Sequence, residues 1–150
     1  MVLNGSSSLF LPIESGVAQG SVLGPLSFLV YINDLEINIK SKIKFFADDT
    51  MLFSVVHDPD LTAKDLNLDL NTIKNWAYQW KMSFNPDPSK QAVEILFSQK
   101  KPSVLHPPIY FNDNIVLRKD AHKHLGITLD SKLTFSDHIT EKMRITNKHI

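Results

Sequence analysis

The sequence predicts an α+β fold, with an antiparallel-rich sheet and helices packed on one face of it. Two observations predict this class. Apolar residues recur at spacings of four and three over residues 66–80, as on one side of an amphipathic helix. Short apolar runs bounded by turn residues lie between the predicted helices and are typical of strands. Helices and hairpins are therefore expected to alternate along the chain.

The composition is that of a globular domain or of part of one. The chain has 150 residues, 43% of them hydrophobic, and a mean hydropathy of −0.11. It has no cysteine, which excludes disulfides and thiolate metal sites. No apolar run approaches the roughly 18 residues of a membrane span, and no signal peptide is recognisable. We therefore expect no membrane partner and an intracellular location, nuclear or cytoplasmic, rather than secretion.

The charge is zero overall but uneven along the chain. Residues 1–80 hold 5 Lys/Arg and 9 Asp/Glu, a net of −4, and residues 81–150 hold 11 and 7, a net of +4. This asymmetry is compatible with a metal site beside a polyanion-binding surface. It is equally compatible with ordinary variation between solvated faces. A neutral chain is weak evidence for a self-sufficient nucleic-acid binder.

The first forty residues predict a hairpin, a loop and a helix. Asn4-Gly5 is a turn signal between Val2-Leu3 and the apolar run 9–13. Three glycines and a proline make residues 16–25 a loop dominated by backbone requirements. A helix is expected over residues 26–37, and its nearly continuous apolar character predicts burial.

A second helix is expected to open at Asp58-Pro59-Asp60, because proline and acidic residues suit a first helical turn. Residues 85–89 carry two prolines and end the helical pattern. Its apolar stripe predicts core packing and consists of Leu66, Leu70, Ile73, Ala77 and Trp80.

The remaining third of the chain predicts mostly strands. An apolar run at 92–97 and another at 124–129 each read as a strand, and residues 109–117 read as a hairpin. A final helix is expected to start with Ser136 as its N-cap. His122 and His124 are interpreted as ordinary polar strand residues, because no further ligand lies at a zinc-site spacing.

Two adjacent acidic residues, Asp48 and Asp49, separate the apolar runs 43–47 and 51–56. The flanks predict strands, so the pair is expected in the turn of a hairpin. Two carboxylates there suit a hard divalent cation such as Mg²⁺. Aspartate is also a common turn residue for purely local reasons. On the pair alone, the local interpretation is favoured.

Five blocks in order change that balance: GVAQGSVLGP at 16–25, YINDL at 31–35, FADD at 46–49, WKMSFNPDPSK at 80–90 and HLGITLDSKL at 124–133. Together they resemble the reverse transcriptase palm of non-long-terminal-repeat (LINE-type) retrotransposons. The resemblance implies a polymerase palm-like sheet, incomplete at both ends. It implies a partial reverse transcriptase domain over 1–150, with the second half of the palm at 1–121. Residues 122–150 would be the primer-grip region and the start of the thumb.

The resemblance implies RNA-directed DNA polymerisation. A primer 3′-hydroxyl would attack the α-phosphate of a dNTP in two-metal chemistry, with an RNA template and a DNA primer as partners. Asp48 would be the principal metal ligand and Asp49 would assist it, with Mg²⁺ or Mn²⁺ as the ion. A turn can bring adjacent carboxylates towards one ion, whereas in a regular strand they point to opposite faces.

Further roles follow from the same resemblance, each beside a structural alternative. Lys90 would reach the leaving phosphates, or is a solvated lysine after a turn. The primer-grip residues would be Leu125 and Gly126, or the glycine marks a bulge. The residues beside the templating base and the nucleotide would be Gln19, Gly20 and Ser21, in a loop that otherwise only reverses the chain. Ala18 stands where the family usually has proline. This difference leaves the Gln-Gly step intact.

The resemblance also indicates what is missing. The family has a third carboxylate on a strand before the loop at Gly16, and Glu14 is in the wrong context for it. Asp130 ends an apolar strand but follows the aspartate pair in sequence, so we reject it as the third ligand. Fingers would lie upstream and most of the thumb downstream. We therefore expect a fragment that is inactive alone. The alternative is a non-catalytic nucleic-acid- or protein-binding remnant; the oligomeric state stays open.

Overall fold

The computed structural model describes residues 2–3, 6–7, 20, 22–85, 91–99 and 105–147. Three helices and ten short strands lie in these ranges, which confirms the α+β class. The helices are α1 (Leu23–Ile32), α2 (Pro59–Gln79) and α3 (Ser136–Thr146). The strands are β1 (Val2–Leu3), β2 (Ser6–Ser7), β3 (Lys42–Phe46), β4 (Asp49–Phe53), β5 (Val93–Glu94), β6 (Tyr110–Phe111), β7 (Asn114–Ile115), β8 (Leu117–Arg118), β9 (Ala121–His124) and β10 (Ile127–Asp130).

The described strands form five separate two-stranded sheets instead of the single sheet that was predicted. Four of them are antiparallel hairpins, and β5 pairs with β8 in parallel. Most of these strands are only two residues long, so they offer few ladder bonds with which to recruit a third strand. The described part of the chain thus combines three helices with small, mainly antiparallel sheets, within the predicted α+β class.

Helix α2 begins as predicted and organises the small core. The Asp58 side chain caps it by accepting from the Leu61 amide at 3.0 Å, and Pro59 is its first residue. Trp80 follows the last helical residue and stays 41% exposed, so its predicted place in the core was wrong. The buried apolar residues in the described ranges are Ile32, Leu35, Ala63, Ile73, Ala77 and Ile109.

Helix α1 is largely exposed, which corrects the predicted burial. It starts at Leu23 and ends at Ile32, and Leu26, Leu29 and Val30 are each more than half exposed. Its C-terminal end contacts α2, where the Tyr31 ring meets Trp76 edge-on with centroids 5.9 Å apart. The apolar faces of the preceding turns gain no comparable partner from the described residues, so apolar periodicity alone did not determine burial.

The block after α1 is tied to the same helix. Trp76 Nε1 donates to Asp34 Oδ1 at 2.8 Å, and the Tyr31 hydroxyl donates to the Trp80 carbonyl. The chain passes through turns as far as Asn38, which has a positive φ of 67°. The YINDL block is therefore held against the C-terminal half of α2.

Three predictions for the last third of the chain are corrected. The expected strand over 92–97 is reduced to Val93–Glu94. The expected strand over 124–129 is a hairpin of β9 and β10, because Leu125 and Gly126 take positive φ values of 48° and 80° and reverse the chain. Phe135, in the left-handed region, is the N-cap of α3, so Ser136 is the first helical residue and makes no cap. Among the described residues, no helix is long and apolar enough to cross a membrane.

Candidate functional site at the aspartate turn

The aspartate pair lies at the tip of the hairpin of β3 and β4. Five cross-strand pairs run from Lys42 opposite Phe53 to Phe46 opposite Asp49. Ala47 and Asp48 form the loop, and Asp49 is the first residue of β4. The predicted hairpin is thus present, with one aspartate in the loop and one at the strand end.

The loop is conformationally strained at Ala47. This residue has a φ of 52°, which costs a non-glycine residue about 1–2 kcal/mol. The positive φ at the first loop position lets two residues close the hairpin. Strain of this kind is common where a turn must present particular side chains.

Both carboxylates are exposed. Among the described residues, no group donates a hydrogen bond to the side-chain carboxylate of Asp48 or Asp49, although the Asp49 backbone takes part in the β3–β4 ladder. Their oxygens are therefore open to ligands from solution. Two exposed carboxylates match the oxygen donor set of a hard divalent cation.

His122 on the hairpin of β9 and β10 has a shifted pKa. Burial lowers the pKa of His122 on β9, and the neighbouring charges of Lys119 and His124 act in the same direction. The Asp49 carboxylate raises that pKa and partly offsets these effects. The charge of Asp49 thus acts on a residue of the predicted primer-grip hairpin.

The turn of that hairpin contains Leu125 and Gly126. Both residues are exposed, and two consecutive positive φ values are typical of a type I′ turn. A Cβ at Gly126 would meet no atom within 4 Å, so glycine is favoured there by backbone conformation. The bulge considered as the structural alternative is therefore replaced by a regular turn.

The other predicted site residues are only partly described. Gly20 is exposed with a φ of 81°, and a Cβ there would also meet nothing within 4 Å. Glycine is therefore favoured at this position by its backbone conformation. The predictions for Gln19, Ser21 and Lys90, and the position of Glu14, lie outside the described residues.

No third carboxylate joins the aspartate pair in the described ranges, where no group of three or more His, Cys, Asp or Glu residues is arranged to hold a metal ion. Asp130 is instead occupied within its own loop. Its carboxylate accepts from the amides of Lys132, Thr134 and Phe135 at 3.0, 3.1 and 2.7 Å, and from Thr134 Oγ1 at 3.1 Å. These bonds, with the Thr134 amide first, lower the pKa of Asp130.

One acidic residue at the root of the aspartate hairpin was not predicted from the sequence. Asp69 on α2 is 1% exposed, and its oxygens accept from the amides of Lys40 and Ser41 at 2.9 and 2.8 Å. Its position in the helical repeat could have revealed it, because Asp69 precedes the core residues Ile73 and Ala77 by four and eight positions, on the same face of the helix. A polar residue in phase with an apolar stripe marks a buried group that needs partners.

Comparison with known proteins identifies a family that the chain matches. Residues 1–129 match the family described as reverse transcriptase (RNA-dependent DNA polymerase). The chain is 32% identical over 146 residues to the RNA-directed DNA polymerase from mobile element jockey of Drosophila melanogaster, covering 92% of the chain and 15% of that protein. It is 33% identical to the probable RNA-directed DNA polymerase from transposon X-element of the same species, over 86% of the chain and 14% of that protein.

A third relative, the probable RNA-directed DNA polymerase from transposon BS of Drosophila melanogaster, is 31% identical over 95% of the chain. The chain spans 16% of that protein and about 15% of the curated relatives that it matches. No solved structure matches the chain.

Proposed function

The chain belongs to the reverse transcriptase (RNA-dependent DNA polymerase) family, and we propose that it is the part of a retrotransposon polymerase palm that carries two catalytic carboxylates. One observation supports this role above the others. The FADD block forms a closed hairpin whose tip exposes the carboxylates of Asp48 and Asp49, and no described residue donates a hydrogen bond to these carboxylates. An ordinary turn aspartate would be expected to bond nearby backbone amides.

The reaction proposed for the intact parent is nucleotidyl transfer from a dNTP to the 3′-hydroxyl of a DNA primer on an RNA template. Asp48 would be the principal ligand of the divalent metal, with Asp49 as the second ligand. Reverse transcriptases generally use divalent ions, and we propose Mg²⁺, with Mn²⁺ as a substitute. The bound metal would compensate charge on the attacking and leaving oxygens. The protein contributes the position of the two carboxylates.

The remaining roles are proposed on the family motifs. Lys90 would contact the leaving phosphates, and the turn of Leu125 and Gly126 would contact the primer strand. The residues proposed beside the templating base and the nucleotide are Gln19, Gly20 and Ser21.

We further propose the domain division inferred from the motifs, with the palm over 1–121 and the primer grip and start of the thumb over 122–150. An intracellular location, nuclear or cytoplasmic, is proposed with it. The 150-residue chain is proposed to be inactive alone, because two carboxylates are two-thirds of the family's catalytic set.

Primer extension tests the proposal directly. The purified chain is incubated with an annealed RNA template and DNA primer, dNTPs and Mg²⁺, beside its Asp48→Ala variant. We expect no extension by either protein. Extension by the wild type that is lost in Asp48→Ala would overturn the proposed inactivity. Equal Mn²⁺ affinity of both proteins would overturn the metal-ligand role of Asp48.

A second candidate function is nucleic-acid binding without chemistry, favoured by the net charge of +4 over residues 81–150. It predicts that affinity for an RNA–DNA primer–template falls with salt and is unchanged in Asp48→Ala. Fluorescence anisotropy at two or more salt concentrations measures this. Affinity that depends on Mg²⁺ and on Asp48 would favour the catalytic palm instead.

A further inference from the structure

We propose that Asp69 is a positioning residue that sets the aspartate hairpin on helix α2. This inference rests on the proposed role of Asp48 and Asp49 as metal ligands. Asp69 lies in the middle of α2 and is 1% exposed. A carboxylate buried to this degree needs several hydrogen bonds to offset its lost hydration.

The partners of Asp69 lie at the root of the hairpin. Oδ1 accepts from the Lys40 amide at 2.9 Å and Oδ2 accepts from the Ser41 amide at 2.8 Å. These two residues immediately precede β3, which starts at Lys42. One side chain therefore fixes two successive peptide groups at the point where the chain enters the hairpin.

Orientation at the root determines position at the tip. A strand of five residues, as in β3, spans roughly 16 Å at about 3.3 Å per residue. A tilt of about 10° at the root would move the tip by roughly 3 Å, well beyond the roughly 0.5 Å within which a working site must be held. The β3–β4 ladder carries such a tilt to Asp48 and Asp49 because its five pairs form one ribbon.

A second acidic residue provides a matched control. Asp65 lies one turn before Asp69 on the same face of α2. Its carboxylate also binds Lys40, but it pairs with the side-chain Nζ, at 2.8 Å. The side chains of Asp65 and Lys40 are 31% and 63% exposed. An exposed pair between long side chains constrains the backbone little. Asp69 and Asp65 thus differ in what they hold: peptide groups in one case and a flexible side chain in the other.

The experiment compares three variants of the 150-residue chain. Asp69→Asn keeps the shape but replaces one acceptor oxygen by an amide that cannot accept from a peptide N–H. Asp65→Asn removes only the exposed pair. Ile73→Val loosens the core on the same helix without touching the hairpin root. Amide hydrogen exchange, followed by mass spectrometry over residues 40–53 and 59–79, reports each region separately. The Mn²⁺ affinity, from the free-ion paramagnetic resonance signal, reports the tip.

We expect Asp69→Asn to speed exchange over residues 40–53 by about tenfold or more, relative to the change over 59–79. We expect its Mn²⁺ affinity to fall by about tenfold, as for residues that orient metal ligands. Asp65→Asn should stay within about twofold of the wild type on both measurements. Ile73→Val should speed exchange in the helix without this selective effect on the hairpin.

The positioning role is overturned if Asp69→Asn changes neither measurement, or if it loosens helix and hairpin in the same proportion as Ile73→Val. The proposed metal site is tested separately by Asp48→Asn. If that variant binds Mn²⁺ as the wild type does, the ligand role of Asp48 fails. The exchange comparison of Asp69→Asn with Asp65→Asn then still decides whether Asp69 holds the hairpin.

Discussion

The hairpin tip at Asp48 and the end of β10 at Asp130 place aspartates in opposite situations. Asp130 accepts three amide hydrogen bonds and one from the Thr134 hydroxyl, all within its own loop. The side-chain carboxylates of Asp48 and Asp49 accept none from the described residues. Each of these aspartates adjoins an apolar strand, so the sequence pattern alone is the same. The difference shows that nearby backbone donors decide whether such a carboxylate builds a loop or stays open to a ligand.

The largest expected effect is on metal binding. Asp48→Asn should weaken Mn²⁺ binding by about 100-fold or more, because it removes a charged ligand rather than a group behind one. Asp130→Asn should leave the affinity unchanged, since its oxygens are already engaged. Isothermal titration calorimetry of both variants checks the contrast. Equal losses in the two variants would show that the comparison is wrong.

The next largest expected effect is on the amide exchange rates of the loop after β10. Asp130→Asn should speed exchange of the Thr134 and Phe135 amides by about tenfold or more, because bonds to a charged acceptor are lost. Asp48→Asn should leave these two amides unaffected. Amide exchange followed by NMR resolves them individually. Unchanged protection in Asp130→Asn would assign the order of this loop to other contacts.

Lowering the pH should remove the contribution of the Asp130 carboxylate to the stability of the wild type. The folded-state pKa of Asp130 is lowered from its ordinary value of 3.8. Its contribution to stability is therefore present above that value and is lost as the pH falls through the lower folded-state pKa. Thermal unfolding between about pH 2 and pH 5 should show wild type and Asp130→Asn converging at the acid end. A difference in stability that is constant over this range would contradict the assignment.

The smallest expected effect concerns the electrostatic influence of Asp49 on the pKa of His122. Asp49→Asn removes a negative charge that raises the pKa of His122, so that pKa should fall further below its ordinary value. Asp48→Asn is the control, because Asp48 is not among the groups that act on His122. NMR titration of the imidazole protons measures both variants. An unchanged His122 pKa in Asp49→Asn would show that the charge of Asp49 does not act on this histidine.

Local features of this chain were predictable from its sequence. The Asp58 cap with Pro59 behind it and the stripe through Ile73 and Ala77 specify α2, because their energetics depend on residues within one or two turns. The hairpin around Asp48 was predictable for the same reason. The ordered motifs led to the reverse transcriptase family, which the match over residues 1–129 confirms.

Predictions that depended on distant partners fared worse. The apolar character of α1 predicted burial, yet Leu26, Leu29 and Val30 are exposed. Ser136 has the right chemistry for an N-cap, but the loop held by Asp130 places Phe135 there in the left-handed region. In both cases the residue type was compatible with the prediction, and the surrounding structure decided otherwise.

By itself, the sequence determined the family, the main helix and the position of the aspartate pair in a hairpin. Those properties depend on residue order and short-range periodicity. Only the tertiary structure decided that Asp69 accepts from the two amides at the root of that hairpin, and that the Asp130 carboxylate is hydrogen-bonded within its own loop. Such contacts join residues far apart in the chain or depend on exact backbone direction, and no local pattern encodes which donor meets which oxygen.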